Sequence, residues 1–338
     1  MAKAKKLPSG SWRVRLYTGR DEAGKAVYKS FTAPTKKEAE AAAALYAVRK
    51  KQKDEIGMTV GEAFDAYIRS KENVLSPSTI GSYRQKRRNW MQGIMDVPLS
   101  ELTNEIVQKE INREALRLSP KSITCAHGLL SAALGMYLPD FTLRTTLPAK
   151  QHKIKELPAP QDVIRAVKGE PIELPVMLAL WLSLRMSEVR GLRWTDIRDG
   201  VLTVRATVVT VDGEDIEKQQ TKTWGSTRQL TVPPYIMQLI EREREGSTSE
   251  HIVTMSGQAI YKRSTRLLAR KGVAPMTFHD VRHMNASVML QLGVPDKYAM
   301  ERGGWVSNDT LKNVYQHTFS QKRQEVDGQI DSYFEALL

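Results

Sequence analysis

The last sixty residues of the chain hold His279-Asp280-Val281-Arg282-His283, Gly304-Trp305 and Tyr315-Gln316-His317, while Arg185-x-x-Glu188 stands far upstream. His279 and Arg282 are three apart, so a helix puts both on one face. Imidazole moves a proton near neutral pH, and the planar fork of a guanidinium matches two oxygens of a phosphate. A tyrosine hydroxyl has a reference pKa of about 10 and attacks phosphorus only with cations or a base beside it. Two arginines, a histidine, an indole donor and a late tyrosine together have the means to grip one phosphodiester and attack it.

Each residue alone also has a plainer reading. Glu188 can neutralise Arg185 in a structural ion pair, since a guanidinium emerging from the apolar run Trp181-Leu-Ser-Leu184 needs an anion. Tyr315 can be a packing residue with a satisfied hydroxyl. His279, Asp280 and His283 can be read as metal ligands, but the histidines lack a third ligand in sequence and the arginine between them repels a cation.

Those residues need a scaffold, and 338 residues are too many for one small core, which predicts two or three domains. No run is apolar enough to span a bilayer, and Met1-Ala-Lys-Ala-Lys-Lys6 does not resemble a secretion signal, so a cytoplasmic protein without membrane partners is expected. One cysteine, Cys125, excludes an intrachain disulfide framework and a Cys-rich metal site. The net charge is +13, and residues 1–57 hold fourteen Lys/Arg against six Asp/Glu. A polyanion is the natural partner, with counterion release supplying affinity.

Residues 1–57 read as a small sheet-plus-helix module. Ser11 to Tyr17 and Ala26 to Phe31 alternate as strands, with Trp12, Val14 and Leu16 on one face and Arg13, Arg15 and Tyr17 on the other. An Ala-rich helix from Lys36 to Lys53 follows and can cover the apolar face. The basic aromatic face is either a solvated surface or a ribbon for the major groove of a duplex.

Residues 58–146 predict four helices from four start signals: Thr59-x-x-Glu62, Ser76-Pro77, Thr103 and Ser119-Pro120. Arg84, Lys86, Arg87 and Arg88 in the second helix, and Lys121 at the start of the fourth, are candidate DNA contacts. Residues 147–160, with three prolines, form a semi-extended linker. Residues 161–338 predict helices with a short antiparallel sheet from Val201–Val204, Ile216–Thr223 and Arg228–Val232. The fold class is multidomain and mainly α, with small antiparallel sheets and an α+β last unit.

The order Arg185, Lys222, His279-x-x-Arg282, Trp305, Tyr315 resembles the active site of the tyrosine recombinases, the phage integrase family. The strings Leu184-Arg-Met-Ser-Glu-Val-Arg-Gly-Leu-Arg-Trp194, Thr277-Phe-His-Asp-Val-Arg-His283 and Gly303-Gly-Trp to Tyr315-Gln-His317 carry the likeness. The helical segment resembles the family's core-site-binding domain, and residues 1–57 resemble, more loosely, its arm-type DNA-binding domain.

The resemblance implies a site-specific recombinase that cuts and rejoins DNA through a 3′-phosphotyrosyl bond, with Tyr315 as nucleophile. Arg185 and Arg282 hold the non-bridging oxygens, Lys222 protonates the leaving 5′ oxygen, with Lys218 as its rival, and His279 assists proton transfer. Trp305 stands where the family more often has histidine; its indole donates a hydrogen bond but carries no proton. Ser183 stands where glycine is common. No metal, ATP or other cofactor is implied. The implied partners are double-stranded DNA with core and arm sites and three further copies of the chain in a tetramer on a Holliday junction. A host DNA-bending protein and an excision factor are further partners, in the nucleoid of a bacterial host. A type IB topoisomerase and a catalytically silent architectural DNA binder are the competing readings.

Overall fold

A computed structural model describes residues 3–20, 24–55, 57–150, 157–218, 227–315, 328 and 330–336, and the chain divides into two compact units, 1–150 and 151–338. None of the described helices is long and apolar enough to cross a membrane.

The first unit begins with strands β1 (Lys5–Lys6), β2 (Trp12–Arg20) and β3 (Ala26–Ala33), antiparallel in the order β1-β2-β3, followed by helix α1 (Lys36–Glu55). Period-two alternation sends Val14 inward against Ala39 and Ala43 of α1, with Trp12, Leu16 and Phe31 around them. Arg13, Arg15 and Tyr17 therefore face out. Small alanines let the helix lie close over the sheet.

Four helices follow: α2 (Val60–Lys71), α3 (Pro77–Asn89), α4 (Asn104–Ala115) and α5 (Pro120–Tyr137). The side chains of Thr59, Ser76, Thr103 and Ser119 each accept a bond from a backbone N–H in the first turn, which is why the helices start there. Their apolar faces meet around Phe64, Leu99, Leu102, Ile111, Leu130 and Leu134.

The second unit is built around α7 (Glu173–Leu182), whose residues are buried on nearly every side. Around it lie α6 (Pro160–Val167), α8 (Met186–Gly191), α9 (Pro234–Arg244), α10 (Gly257–Arg270), α11 (Phe278–Gln291), α12 (Asp296–Gly303) and α13 (Asn308–Tyr315). Strands β4 (Ile197–Arg198), β5 (Val201–Val204) and β8 (Arg228–Thr231) form one antiparallel sheet in that order. Strands β6 (Thr207–Val211) and β7 (Glu214–Lys218) form a separate hairpin.

That hairpin corrects the expected sheet. The segment starting at Ile216 pairs not with 201–204 or 228–232 but with Thr207–Val211, a strand the sequence reading missed. The cause is local: Asp212 and Gly213 both adopt positive φ, 51° and 91°, the backbone of a tight two-residue hairpin turn. An Asp-Gly pair between alternating apolar residues is its sequence signature. The expected strand continued to Thr223, but residues 219–226 lie outside the described residues.

Candidate active site

The apolar helix α7 ends because Ser183 takes a left-handed conformation, φ 57° and ψ 33°, and reverses the chain into α8. Arg185 is the residue that caps α8, and its backbone N–H donates to Glu188 Oε2 at 2.8 Å. Its side chain turns the same way: Nη1 donates to Glu188 Oε1 at 2.6 Å and Nη2 to the Gly304 carbonyl at 2.8 Å. Arg185 is 34% exposed, so it meets Glu188 on one side and solvent on the other. The ion-pair reading of Arg185 and Glu188 therefore holds, and it leaves guanidinium surface open to an anion.

Helix α11 starts at a capping box in which Thr277 and Asp280 exchange bonds, so Asp280 serves the helix end. One turn further, Arg282 is 1% exposed, donating from Nη1 to the Ser183 carbonyl and from Nη2 to the Gly303 carbonyl. Its guanidinium lies 4.7 Å from the Trp305 ring centre, a cation–π contact. Burial, and then the charge of Arg185, pull the Arg282 pKa down. Asn285, one turn on, donates to the Leu180 carbonyl at 2.8 Å and locks α11 against α7.

His279 keeps one side open to solvent and stands edge-on to His283, with ring centres 4.4 Å apart. Partial burial, followed by the charges of Arg282 and Arg185, holds its pKa below the ordinary 6.5, against a weaker upward pull from Asp280. The ring is thus neutral at physiological pH and ready to accept a proton.

The Gly303-Gly304-Trp305 string has a steric cause. Gly304 closes α12 at φ 62°, with the Trp305 N–H returning to the Met300 carbonyl at 3.0 Å. A Cβ on Gly303 would meet the Trp305 ring at 1.9 Å, so the indole folds back over backbone that only glycine supplies. Trp305 packs there with Ala286, Met289, Ala299 and Leu311. Tyr315 is the last residue of α13, four positions after the buried Leu311; its side chain lies outside the described residues.

Lys222 also lies outside the described residues. Lys218, its rival, is the last residue of β7 and pairs with Thr207. The hairpin is fastened to α8 and the loop after it: Arg190 bonds Thr210 and Asp215 at 3.0 and 2.5 Å, and Arg193 bonds Glu217 at 2.7 Å. The helix capped by Arg185 thus also anchors the strand that leads toward Lys222.

Sequence reasoning overlooked Arg228. It is 6% exposed at the start of β8, donating to both Glu188 oxygens, to the Ser183 carbonyl and to the Arg302 carbonyl. A signal was present: Arg228, Leu230 and Val232 alternate, which puts a charge on the buried face of a strand. Glu188, at 1% exposure, thereby serves two bonded guanidinia with Arg282 at 3.9 Å, and their charges hold its carboxyl below its ordinary pKa against desolvation.

In the first unit, Arg13 and Arg15 stand on the open face of the sheet, with Arg15 4.8 Å from the Tyr28 ring centre and Tyr17 edge-on to Tyr28. The basic run in α3 does not form one patch. Arg87 turns inward to Asp65 at 3.1 Å and the Gly61 carbonyl at 3.2 Å, bracing α3 on α2. Arg84 pairs with Glu72 at 2.7 Å, and Lys86 lies over the Tyr83 and Trp90 rings. Arg88 and Lys121 are exposed.

Residues 164–322 match the model of the phage integrase family. A tyrosine recombinase XerC-like protein of Caldanaerobacter subterraneus subsp. tengcongensis is 24% identical over 92% of this chain and 93% of its own length. The fold is shared with the Tn1549 transposon integrase, solved with transposon right-end DNA, at TM-score 0.64 and 18% identity, covering 80% of this chain and 99% of that one. A lambda integrase dimer bound to a core site matches at TM-score 0.64 and 17% identity, covering 93% and 95%.

Proposed function

The chain belongs to the phage integrase family of tyrosine recombinases, the site-specific DNA recombinases, and from that premise we propose that it cuts and rejoins DNA through a covalent bond to Tyr315. The Tyr315 oxygen attacks phosphorus, the bond to O5′ breaks, and a 3′-phosphotyrosyl link and a free 5′-hydroxyl result. A 5′-hydroxyl from the partner duplex then attacks that link and releases the tyrosine. The phosphotyrosyl bond retains the energy of the phosphodiester, so neither step draws on ATP.

The observation that carries this reading is the convergence of Arg185 and Arg282 on neighbouring carbonyls of the α12 end, with His279 one turn from Arg282. The pentacoordinate phosphorane gains negative charge, and preorganised cations in a half-buried site stabilise it more than the ground state. Arg185 has the open surface to bond a non-bridging oxygen. Arg282 acts from behind it through charge, and bonds the phosphate directly where the Gly303 carbonyl yields to a phosphate oxygen. Neutral His279 accepts the tyrosine proton, and Lys222 delivers one to O5′.

Residues 1–57 serve as the arm-binding module, 58–146 as the core-site-binding domain and 161–338 as the catalytic domain, joined by 147–160. A lambda integrase relative has been solved as a tetramer on a Holliday junction, and the same assembly suits this chain, with a host DNA-bending protein and an excision factor as helpers. The test is a nicked suicide substrate carrying the attachment core. Wild type forms a covalent protein–DNA adduct and Tyr315→Phe forms none; absence of a wild-type adduct rejects the reading in favour of an architectural binder.

A further inference from the structure

Three successive carbonyls at the end of α12 each receive a different arginine: Arg302 O from Arg228 Nε at 2.9 Å, Gly303 O from Arg282, and Gly304 O from Arg185 at 2.8 Å. The last carbonyls of a helix lack partners within it and carry its negative dipole end, so they attract cations. Two of the three arginines belong to the proposed phosphate clamp. The third, Arg228, is too deeply buried to touch DNA.

We propose that Arg228 is a positioning residue for phosphoryl transfer, holding Glu188 and the α12 end so that Arg185 and Arg282 face the scissile phosphate; this rests on the recombinase reading above. Its four acceptors come from three places: Ser183 at the end of α7, Glu188 in α8 and Arg302 in α12. The same side chain thereby ties together the turn before Arg185, the carboxylate that Arg185 leans on and the helix end before Trp305. Gly304 leaves space for it, since a Cβ there would lie 2.9 Å from Arg228 Nη1.

Charge adds a second argument. Without Arg228, Glu188 turns wholly to Arg185 and Arg282 and quenches the field they present to phosphate. With it, three guanidinia share one carboxylate and leave two positive charges, which suits a phosphorane that carries one more negative charge than the phosphodiester. Lysine keeps the charge but cannot fork to Glu188, Ser183 and Arg302 together.

The experiment compares wild type, Arg228→Met, Arg228→Lys and the double variant Glu188→Gln/Arg228→Met. Each is measured for melting, for core-duplex binding, and for single-turnover adduct formation on two suicide substrates. One carries a phosphodiester and the other a neutral methylphosphonate at the scissile position. The expected result is roughly a hundredfold slowing of Arg228→Met on the phosphodiester, with duplex binding within about threefold. On the methylphosphonate, whose phosphorane carries one negative charge instead of two and so leans less on the pair of arginines, the slowing shrinks to about fivefold or less. Arg228→Lys falls between on the phosphodiester.

The double variant removes the unpaired buried carboxylate and regains melting temperature; Arg185 and Arg282 again present two positive charges, so part of the rate returns, but it stays below wild type for want of the fork that positions them. Equal slowing on both substrates makes Arg228 a mere structural support, recovery of the full wild-type rate in the double variant leaves it no positioning role, and either result overturns the proposal. Should Arg228→Met not fold, Arg228→Lys and the double variant carry the same comparison. Wild type without any adduct rejects the recombinase reading itself, whereas an active wild type with an equally active Arg228→Met rejects only the role of Arg228.

Discussion

The Arg282 guanidinium stands 4.7 Å from the centre of the Trp305 ring, and that ring fills the space a Cβ on Gly303 would need. The indole closes one side of a buried cation that donates its hydrogen bonds to the Ser183 and Gly303 carbonyls and has the Glu188 carboxylate 3.9 Å away. Trp305 therefore works as a wall and a π face for Arg282, whatever hydrogen bond its N–H offers DNA.

Gly303→Ala forces the ring off this position and is expected to lower unfolding free energy by about 1–3 kcal/mol, the cost of overpacking a close-packed site. Trp305→Ala opens a cavity beside Arg282 and costs about 3–5 kcal/mol, while Trp305→Phe keeps a ring face and loses less. Denaturant unfolding checks all three. Wild-type stability in Gly303→Ala contradicts the packing described.

Cleavage is expected to fall as pH drops below the ordinary histidine value of 6.5, because the depressed pKa of His279 keeps it neutral above that range. The sign for stability is the same. A base whose folded pKa lies below its unfolded one loses stability as pH falls through the unfolded value, where the unfolded chain takes up the proton first. His279→Gln, which cannot titrate, is expected to slow cleavage about a hundredfold and to flatten the acid limb. An unchanged limb in that variant assigns it to another group.

Ser183 pairs a left-handed backbone with a buried hydroxyl that has no hydrogen-bond partner among the described residues. Glycine relieves about 1–2 kcal/mol of left-handed strain and the desolvated hydroxyl. It adds about 0.4–1 kcal/mol of unfolded-chain freedom. Ser183→Gly is thus expected to melt slightly higher than wild type; a lower melting point refutes the assigned strain.

How far the sequence could be read depended on whether a signal was local. The four capped helices of 58–146 and the alternation of Trp12 to Tyr17 rest on neighbours in the chain, and both were legible there. The hairpin β6–β7 was equally local, in Asp212-Gly213, but was read past. Arg228 was harder. Its partners, Ser183, Glu188 and Arg302, lie 45, 40 and 74 positions away, so only the charge on an inward strand position hinted at them. In α3, a run of basic residues looked like one patch because spacing cannot show that Arg87 turns to Asp65.

In the arm-like module, Arg13 and Arg15 share the open face of the sheet with Tyr17 and Tyr28. Arg13→Ala and Arg15→Ala are expected to weaken binding to distal sites and to reduce the salt slope by about one per lost phosphate contact. Cleavage of an isolated core site is expected to persist. Unchanged distal binding in titrations at several salt concentrations removes the module from DNA recognition.

A tyrosine nucleophile is tested most directly by where the protein becomes attached to DNA. Trapped adduct, digested with nuclease and trypsin and mapped by mass spectrometry, is predicted to carry its nucleotide on the peptide from Asn313 to Lys322, at Tyr315, with a free 5′-hydroxyl on the released strand. A nucleotide on any other residue, or a 5′-linked adduct with a free 3′ end, contradicts it.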